Sequence, residues 1–147
     1  MIFGMCALDD IPIGELLPQQ PPFRFVDRLV YYNDQEARVS FTPGGGNLLM
    51  EDGCLCAAGV LEHMAQASAA RTGYYNKYIL HLPVRIGFIG QVKKFELFRL
   101  PKAGEKLETS VFVRQEVFQI TLADVVVKTA FGELLATAVL KSALKDE

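Results

Sequence analysis

The sequence predicts an α+β fold in which a curved antiparallel sheet of five to six strands encloses one long helix. Three patterns support this prediction: a short hairpin, one helical segment rich in small residues, and then three or four long strands. With 147 residues, half of them hydrophobic, the chain is long enough for a substantial core. We therefore expect a single domain over residues 1–147.

The segments before the helix predict a helical turn followed by a hairpin. Residues 11–20 favour a short turn that ends before a Pro-Pro pair, and residues 23–32 are rich in aromatic and branched side chains typical of a strand. An Asn-Asp turn leads to residues 36–42, which alternate between apolar and polar side chains. The glycine-rich residues 43–47 lack a Walker lysine, so we interpret them as a flexible connector.

Residues 54–75 predict the central helix. Asp52 is placed to cap its start, and Gly73 is placed to end it. Small side chains let a helix approach its neighbours closely, so we expect it to be buried. An apolar face is predicted at helical spacing, formed by Ala57, Ala58, Leu61, Met64, Ala65, Ser68 and Ala69.

Two polar residues of this helix share one face. Glu62 and Gln66 are one turn apart, whereas His63 points about 100° away from Glu62. A carboxylate in a buried, alanine-rich helix is costly unless it is paired or functional. Glu62 is therefore the first candidate functional residue, and the alternative is that it only fixes the helix by bonding to Gln66.

The remaining chain predicts an antiparallel meander. A linker ending at Pro83 leads to a long strand over residues 84–100, with a bend or bulge expected near Gly87 and Gly90. Two further strands are predicted within residues 107–131, and a turn at Gly132 introduces the last one.

Composition excludes several classes of function. The net charge of −2 gives no basic stripe for nucleic acid, and no apolar run approaches the roughly 18 residues that span a bilayer. The N-terminus lacks the basic region of a signal peptide, so we expect a cytoplasmic protein. We interpret the three cysteines, Cys6, Cys54 and Cys56, as reduced thiols. A zinc site needs four ligands at recognisable spacing, and only His63 and His81 could complete one, so we expect no metal site.

Three segments resemble a known family. They are an opening segment, LLPQQPPFRFVDRLVYYN, a helical segment, GVLEHMAQASA, and a strand segment, GFIGQVKKFELFRLPKAGEKL. In this order they resemble the opening, central-helix and long-strand segments of the hotdog-fold 3-hydroxyacyl-[acyl carrier protein] dehydratases of the FabA/FabZ type. The EDG before the helix and the VRIGFIG strand resemble still more closely the divergent dehydratase subunits of aryl-polyene-type lipid clusters. The resemblance implies a hotdog fold and a role in fatty-acid or polyene-lipid biosynthesis.

The resemblance also implies a reaction and its partners. Family members remove water across carbons 2 and 3 of an acyl thioester carried on phosphopantetheine, with no other cofactor. A loop histidine and a helical Glu or Asp from different subunits do this, while amides at the helix N-terminus polarise the carbonyl. The expected partners are an acyl carrier protein and a second copy of the chain, in a homodimer or higher homo-oligomer. A heteromer with another hotdog subunit is the alternative.

When the family's site residues are carried over by position, only some of them are present in this sequence. Glu62 matches the helical acid, and Ala57 matches the glycine whose amide faces the carbonyl. The histidine position is occupied by Leu48, which cannot transfer a proton, and neighbouring Asn47 can donate a hydrogen bond but cannot act as a base. Three candidates could replace the missing histidine: His63, His81 or a histidine of another subunit. If none of them does, the chain binds acyl thioesters without dehydrating them, or it is structural.

Three functions remain open on these residues: an active dehydratase, an inactive acyl-binding subunit that pairs with an active one, and a thioesterase in which Glu62 or Asp52 activates water. Lys93, Lys94 and Arg99 are expected to contact an acidic carrier protein, or else to guard a solvated edge strand. The predicted substrate-binding residues are Asn47, Leu48, Asp52, Ala57, Gln66 and Phe88. Five phenylalanines are predicted to line an acyl tunnel or the core: Phe88, Phe95, Phe98, Phe112 and Phe118.

Overall fold

The chain consists of one long helix and eight strands over the residues that the structure describes. The computed structural model describes residues 8–44 and 46–145, so Cys6 with the rest of the N-terminal seven residues, and Gly45 of the glycine-rich loop, lie outside the described part. Two short 3₁₀ turns, Leu8–Asp10 and Ile13–Glu15, come first. The other elements are β1 (Arg28–Tyr32), β2 (Glu36–Phe41), β3 (Met50–Glu51), β4 (Cys54–Leu55), α1 (Ala57–Tyr74), β5 (Gly87–Leu97), β6 (Leu107–Val117), β7 (Ile120–Thr129) and β8 (Leu134–Leu144).

Six strands form one antiparallel sheet in the order β1-β2-β6-β7-β8-β5. The α+β prediction is confirmed, with six strands, and so is the hairpin of β1 and β2. Ala37, Val39 and Phe41 of β2 are buried on the face of the sheet that α1 covers. β1 begins only at Arg28, because the proline-rich segment before it is irregular.

The helix Ala57–Tyr74 falls within the predicted range of residues 54–75, but the capping and stop residues predicted for it are wrong. Asp52 lies in the turn between β3 and β4 with a φ of 51°, so it does not cap α1, and Cys56 occupies the N-cap without a side-chain hydrogen bond. At the other end the helix passes through Gly73 and continues as a π-helical turn, Tyr75–Ile79, where a linker was predicted. Gly73 is required for close approach, since a Cβ there would lie 2.3 Å from the carbonyl oxygen of Leu16.

The buried face of α1 is rotated from the predicted one. Ala57 and Ala58 are exposed and Leu61 is only partly buried. Since α1 is rich in alanine on all sides, its periodicity identifies a helix better than it identifies the face that packs. The residues that contact the core are Val60, Met64, Ala67, Ala70 and Tyr74.

β5 is an edge strand of the sheet and most of its residues are exposed. Its pairing with β8 shifts register between Ile89 and Gln91, so the bulge predicted at Gly90 is confirmed. A second shift occurs around Lys94, which has a φ of 54°. No helix in the described ranges has the length and apolar character needed to cross a membrane.

Candidate active site around Glu62

A cavity of about 320 Å³ lies between α1 and the first residues of β5. Its volume is within the usual range for small-molecule sites. Glu62 and Gln66 line it from the helix and Phe88 lines it from β5, so three predicted site residues meet there. Further lining residues come from separate segments: Gln19, Ala65, Ala69, Arg85, Thr121 and Ser142.

Gln66 holds the Glu62 carboxylate in place. Its Nε2 donates one hydrogen bond to Glu62 Oε2 and another to Phe23 O, each at 2.8 Å, and its Oε1 accepts from Phe25 N at 2.6 Å. The Gln66 side chain is fully engaged and only 1% of the residue is exposed. Because both amide hydrogens are used, the orientation of Gln66 is determined by its neighbours.

Glu62 itself retains unused bonding capacity. In the described ranges its Oε1 has no hydrogen-bond partner, and no lysine or arginine lies within 4.0 Å of the carboxylate. The helix and Gln66 therefore position a carboxylate in the cavity while leaving one oxygen for a ligand.

His63 occupies a different environment from Glu62. It is 0% exposed, its Nδ1 lies 2.7 Å from Phe25 O, and its Nε2 lies 2.7 Å from Thr109 Oγ1. A carbonyl only accepts, so Nδ1 carries the proton and Nε2 accepts from the threonine hydroxyl. Burial lowers the pKa of His63 to about 4, although the Phe25 carbonyl acts in the opposite direction. Both ring nitrogens are used inside the core, which favours a structural role over the catalytic one considered from sequence.

One backbone residue links these two sides of the helix. The N–H of Phe25 bonds to Gln66, and its C=O bonds to His63. The Phe25 ring packs near Phe41, which in turn stacks on the His63 imidazole. The irregular segment before β1 is therefore attached to the helix by side chains on both sides, and this attachment supports the position of Gln66.

The other predicted substrate-binding residues do not line the Glu62 cavity within one chain. Asn47 closes its own loop, with Oδ1 accepting from Gly44 N at 2.8 Å. Leu48, Asp52 and Ala57 are exposed. His81 is also exposed and lies outside the cavity.

Of the three basic residues predicted to contact a carrier protein, one is already paired within the chain. Arg99 forms ion pairs with Glu105 and Glu133, at 2.8 and 2.9 Å. The hydrogen bonds from Arg99 lower the pKa of Glu105 to about 2. Lys93 and Lys94 are exposed and form no ion pair with a described residue, so they remain as the free cations of this patch.

Sequence reasoning missed Gln19 and Arg85 and misplaced most of the phenylalanines. Neither polar residue stood in a position that periodicity distinguishes, and only the tertiary fold brings their segments to Glu62. Of the five phenylalanines, Phe88 alone lines this cavity. Phe98, Phe112 and Phe118 are exposed, so they belong neither to an enclosed tunnel nor to the core.

Comparison with known proteins identifies a matching family. The family model described as ApeP-like, "ApeP dehydratase", matches residues 11–141, which is most of the chain. A search of curated protein sequences finds no match.

Solved structures share the same fold. A chain of the dehydratase heterocomplex ApeI:P from Xenorhabdus doucetiae superposes with a TM-score of 0.84 at 16% identity, covering 93% of each chain. The PaaI protein of the E. coli phenylacetic acid degradation operon gives 0.61 at 16% identity, covering 78% of this chain and 80% of that one. A hypothetical thioesterase with coenzyme A from Streptococcus pneumoniae TIGR4 gives 0.64 at 12% identity, with coverages of 82% and 86%. The expected hotdog fold is therefore confirmed.

Proposed function

Because this chain belongs to the ApeP-like dehydratase family, we propose that it is a dehydratase subunit acting on 3-hydroxyacyl thioesters carried on phosphopantetheine. The observation that carries the proposal is the Glu62 carboxylate, which lines a cavity and is oriented by Gln66, and whose second oxygen has no hydrogen-bond partner among the described residues. A single oriented acid beside space for a ligand is the group that proton transfer to a leaving hydroxyl requires.

In the proposed reaction, Glu62 acts as the general acid. A base takes the proton from C2, and the electrons of that C–H bond form the C2=C3 double bond. The C3–O bond breaks, and the hydroxyl leaves as water with the proton that Glu62 donates. General acid–base groups of this kind contribute roughly 10²- to 10⁴-fold in rate.

The base is proposed to come from a second hotdog subunit. Within this chain Leu48 replaces the family histidine, His63 is saturated by core contacts, and His81 lies outside the cavity. The similarity to a chain of a dehydratase heterocomplex supports a heteromer. β5 is the strand on which such a subunit would add, because its edge is unpaired among the described residues and its first residues line the cavity.

The delivery of substrate is proposed to involve an acidic acyl carrier protein that binds beside β5. Lys93 and Lys94 are exposed on this strand and unpaired among the described residues, so they can attract a negatively charged partner. Arg99 contributes little to this surface, because two glutamates of the same chain already neutralise it.

A thioesterase is the second candidate function. Its support is the shared fold with the hypothetical thioesterase from Streptococcus pneumoniae. In that case Glu62 would activate water to cleave the thioester. Asp52 is a poorer candidate, because it is exposed in a turn away from the cavity.

The test combines reconstitution with one substitution. The chain is assayed alone and after mixing with a histidine-containing hotdog dehydratase subunit, using a 3-hydroxyacyl carrier-protein substrate and detection of the 2-enoyl product. We expect turnover only in the mixture, and a fall of roughly 10²- to 10⁴-fold for Glu62→Gln. Glu108→Gln, an exposed residue of β6, is the matched control and should retain full rate.

Each other result has a defined meaning. Full turnover by Glu62→Gln in the mixture would remove Glu62 from the mechanism. Turnover by the chain alone would reject the need for a second subunit. Release of free carrier thiol in place of the 2-enoyl product would support the thioesterase.

A further inference from the structure

A groove of about 330 Å³ crosses four strands of the sheet near the turn between β6 and β7. Cross-strand pairing places four of its lining residues in one row over β6, β7, β8 and β5: Gln115, Leu122, Lys141 and Gln91. The residues next to Leu122 and Lys141 in the chain, Thr121 and Ser142, line the Glu62 cavity. Successive side chains of a strand point to opposite faces, so the groove lies behind that cavity, on the face away from α1.

The part of the groove at the β6–β7 turn is apolar and exposed. Val117 and Ile120, which face each other across the turn, are 48% and 45% exposed. Phe118, at the tip of the turn, is 98% exposed. Single exposed apolar residues are ordinary, but contiguous ones with polar neighbours mark interaction sites. This turn therefore has the character of a docking surface.

Two lysines give the groove a positive charge. Lys93 of β5 and Lys141 of β8 are exposed, and neither ammonium group lies within 4.0 Å of a carboxylate in the described part of the chain. None of the described residues that line the groove is acidic. Arg114 of the neighbouring β6 gives the contrast, because Asp124 neutralises it. The groove is thus locally cationic in a chain whose net charge is −2.

These charges favour an acidic partner over a second copy of this chain. In a two-fold contact between copies the same patch meets itself, so Lys93 and Lys141 would face like charges. A subunit that adds at the edge of β5 bonds to the backbone of that edge and leaves this face of the sheet open. The occupant that fits is an acidic surface with an apolar side chain to place on the turn.

The groove also connects with the Glu62 cavity around the β6–β7 turn. Phe118 lines both the groove and an adjoining cavity of about 240 Å³. That cavity shares three lining residues with the Glu62 cavity: Gln119, Thr121 and Leu144. A partner in the groove therefore lies at the rim from which a flexible arm can pass around the turn to Glu62.

We infer that this groove docks the acidic carrier protein, with carboxylates of the carrier facing Lys93 and Lys141 and an apolar side chain of the carrier against Phe118. The inference rests on the proposed function and refines it, because it adds Lys141 and the β6–β7 turn to the docking surface. Lys94 does not line the groove, so it contributes only to long-range attraction of the carrier.

The test measures, by calorimetry, the affinity for an acyl carrier protein that bears a 3-hydroxyacyl group. The chain is used with its second subunit and in a Glu62→Gln background, so that turnover is suppressed. The informative variants are Lys141→Glu, which reverses one charge of the groove, and Phe118→Asn, which removes the ring while asparagine tolerates the φ of 55° at this position. We expect each to weaken binding about 10-fold, and Lys141→Glu to make binding less sensitive to added salt.

Each variant has a matched control outside the groove. Lys128→Glu makes the same change of charge on β7, and Phe131→Asn removes an equally exposed ring from the β7–β8 turn. Both should bind the carrier as the unmodified protein does. Without any substitution in the groove, the carrier should also slow amide exchange at residues 117–120 and leave residues 130–133 unchanged.

Three results would overturn the inference. The first is equal affinity in the groove variants and their controls, or no binding by the unmodified assembly. The second is a lower assembly mass for Lys141→Glu or Phe118→Asn, which would assign the groove to a contact between subunits. The third is weaker binding by Lys94→Glu but not by Lys141→Glu, which would move the carrier to the edge of β5. Affinity is measured without turnover, so the docking site can fail while the proposed reaction at Glu62 stands, and full turnover by Glu62→Gln would reject the reaction alone.

Discussion

Glu62 and His63 are consecutive residues on one helix, yet they lie in opposite environments. The imidazole of His63 is enclosed and both its nitrogens form hydrogen bonds within the protein. Glu62 faces a cavity, and one of its carboxylate oxygens has no hydrogen-bond partner in the part of the chain that the structure describes. Successive helical residues point about 100° apart, so a single step along the chain moves from core to cavity. Unused hydrogen-bonding capacity, more than burial, is therefore what makes Glu62 the candidate functional residue of the two.

The largest expected effect on stability comes from removing the enclosed imidazole. His63→Leu leaves the carbonyl of Phe25 and the hydroxyl of Thr109 buried without partners, so we expect the free energy of unfolding to fall by about 4 kcal/mol. Urea denaturation measures this change. Glu62→Gln should change the same quantity by less than about 1 kcal/mol, because the carboxamide oxygen can still accept from Gln66. Equal losses in both variants would contradict the division between core and cavity.

The next largest effect is a dependence of folding stability on pH that comes from His63. Its pKa is about 4 in the folded chain, below the ordinary value of 6.5, because burial disfavours the charged ring. Between these values the unfolded chain binds a proton that the folded chain does not. The contribution of His63 to the free energy of unfolding is therefore fully present above about pH 6.5, and it falls by about 3 kcal/mol as the pH drops towards 4.

Urea denaturation at pH 7, 5.5 and 4.5 tests this dependence, with His63→Gln as the comparison. The variant should lose the part of the slope that lies between pH 6.5 and 4. An unchanged slope would assign the dependence to other groups.

The smallest expected effect comes from enlarging one alanine on the core side of α1 and another on its cavity side. Ala67 is fully buried in the core, so Ala67→Leu should overpack it and lower the free energy of unfolding by about 2 kcal/mol. Ala65 lines the cavity, so Ala65→Leu should leave stability nearly unchanged while weakening binding of S-butanoyl-N-acetylcysteamine. Denaturation and calorimetry on both variants measure the two quantities. The reverse pattern would show that the cavity side is part of the core.

Local patterns predicted the elements better than their ends. The alternation in β2 and the small-residue helix are visible in a few consecutive residues, and both are confirmed. The cap at Asp52 and the stop at Gly73 were wrong for a tertiary reason. The first residue belongs to a hairpin, and the second provides close contact with Leu16.

The candidate site was predicted in the same uneven way. Glu62 was selected because a carboxylate in an alanine-rich helix needs an explanation, and Gln66 because it lies one turn away. Arg85 and Gln19 come from segments distant in the sequence, so no local pattern connects them with Glu62.

The amino-acid sequence by itself determined the class of fold, the family resemblance and the acid on the helix, because these follow from short-range periodicity and from residues adjacent in the chain. Only the tertiary structure decided which side of the helix is core, why His63 is satisfied, and which distant side chains share the cavity with Glu62. These depend on the rotation of a helix that carries small residues on every side, and packing against the sheet and the segment around Phe25 sets that rotation.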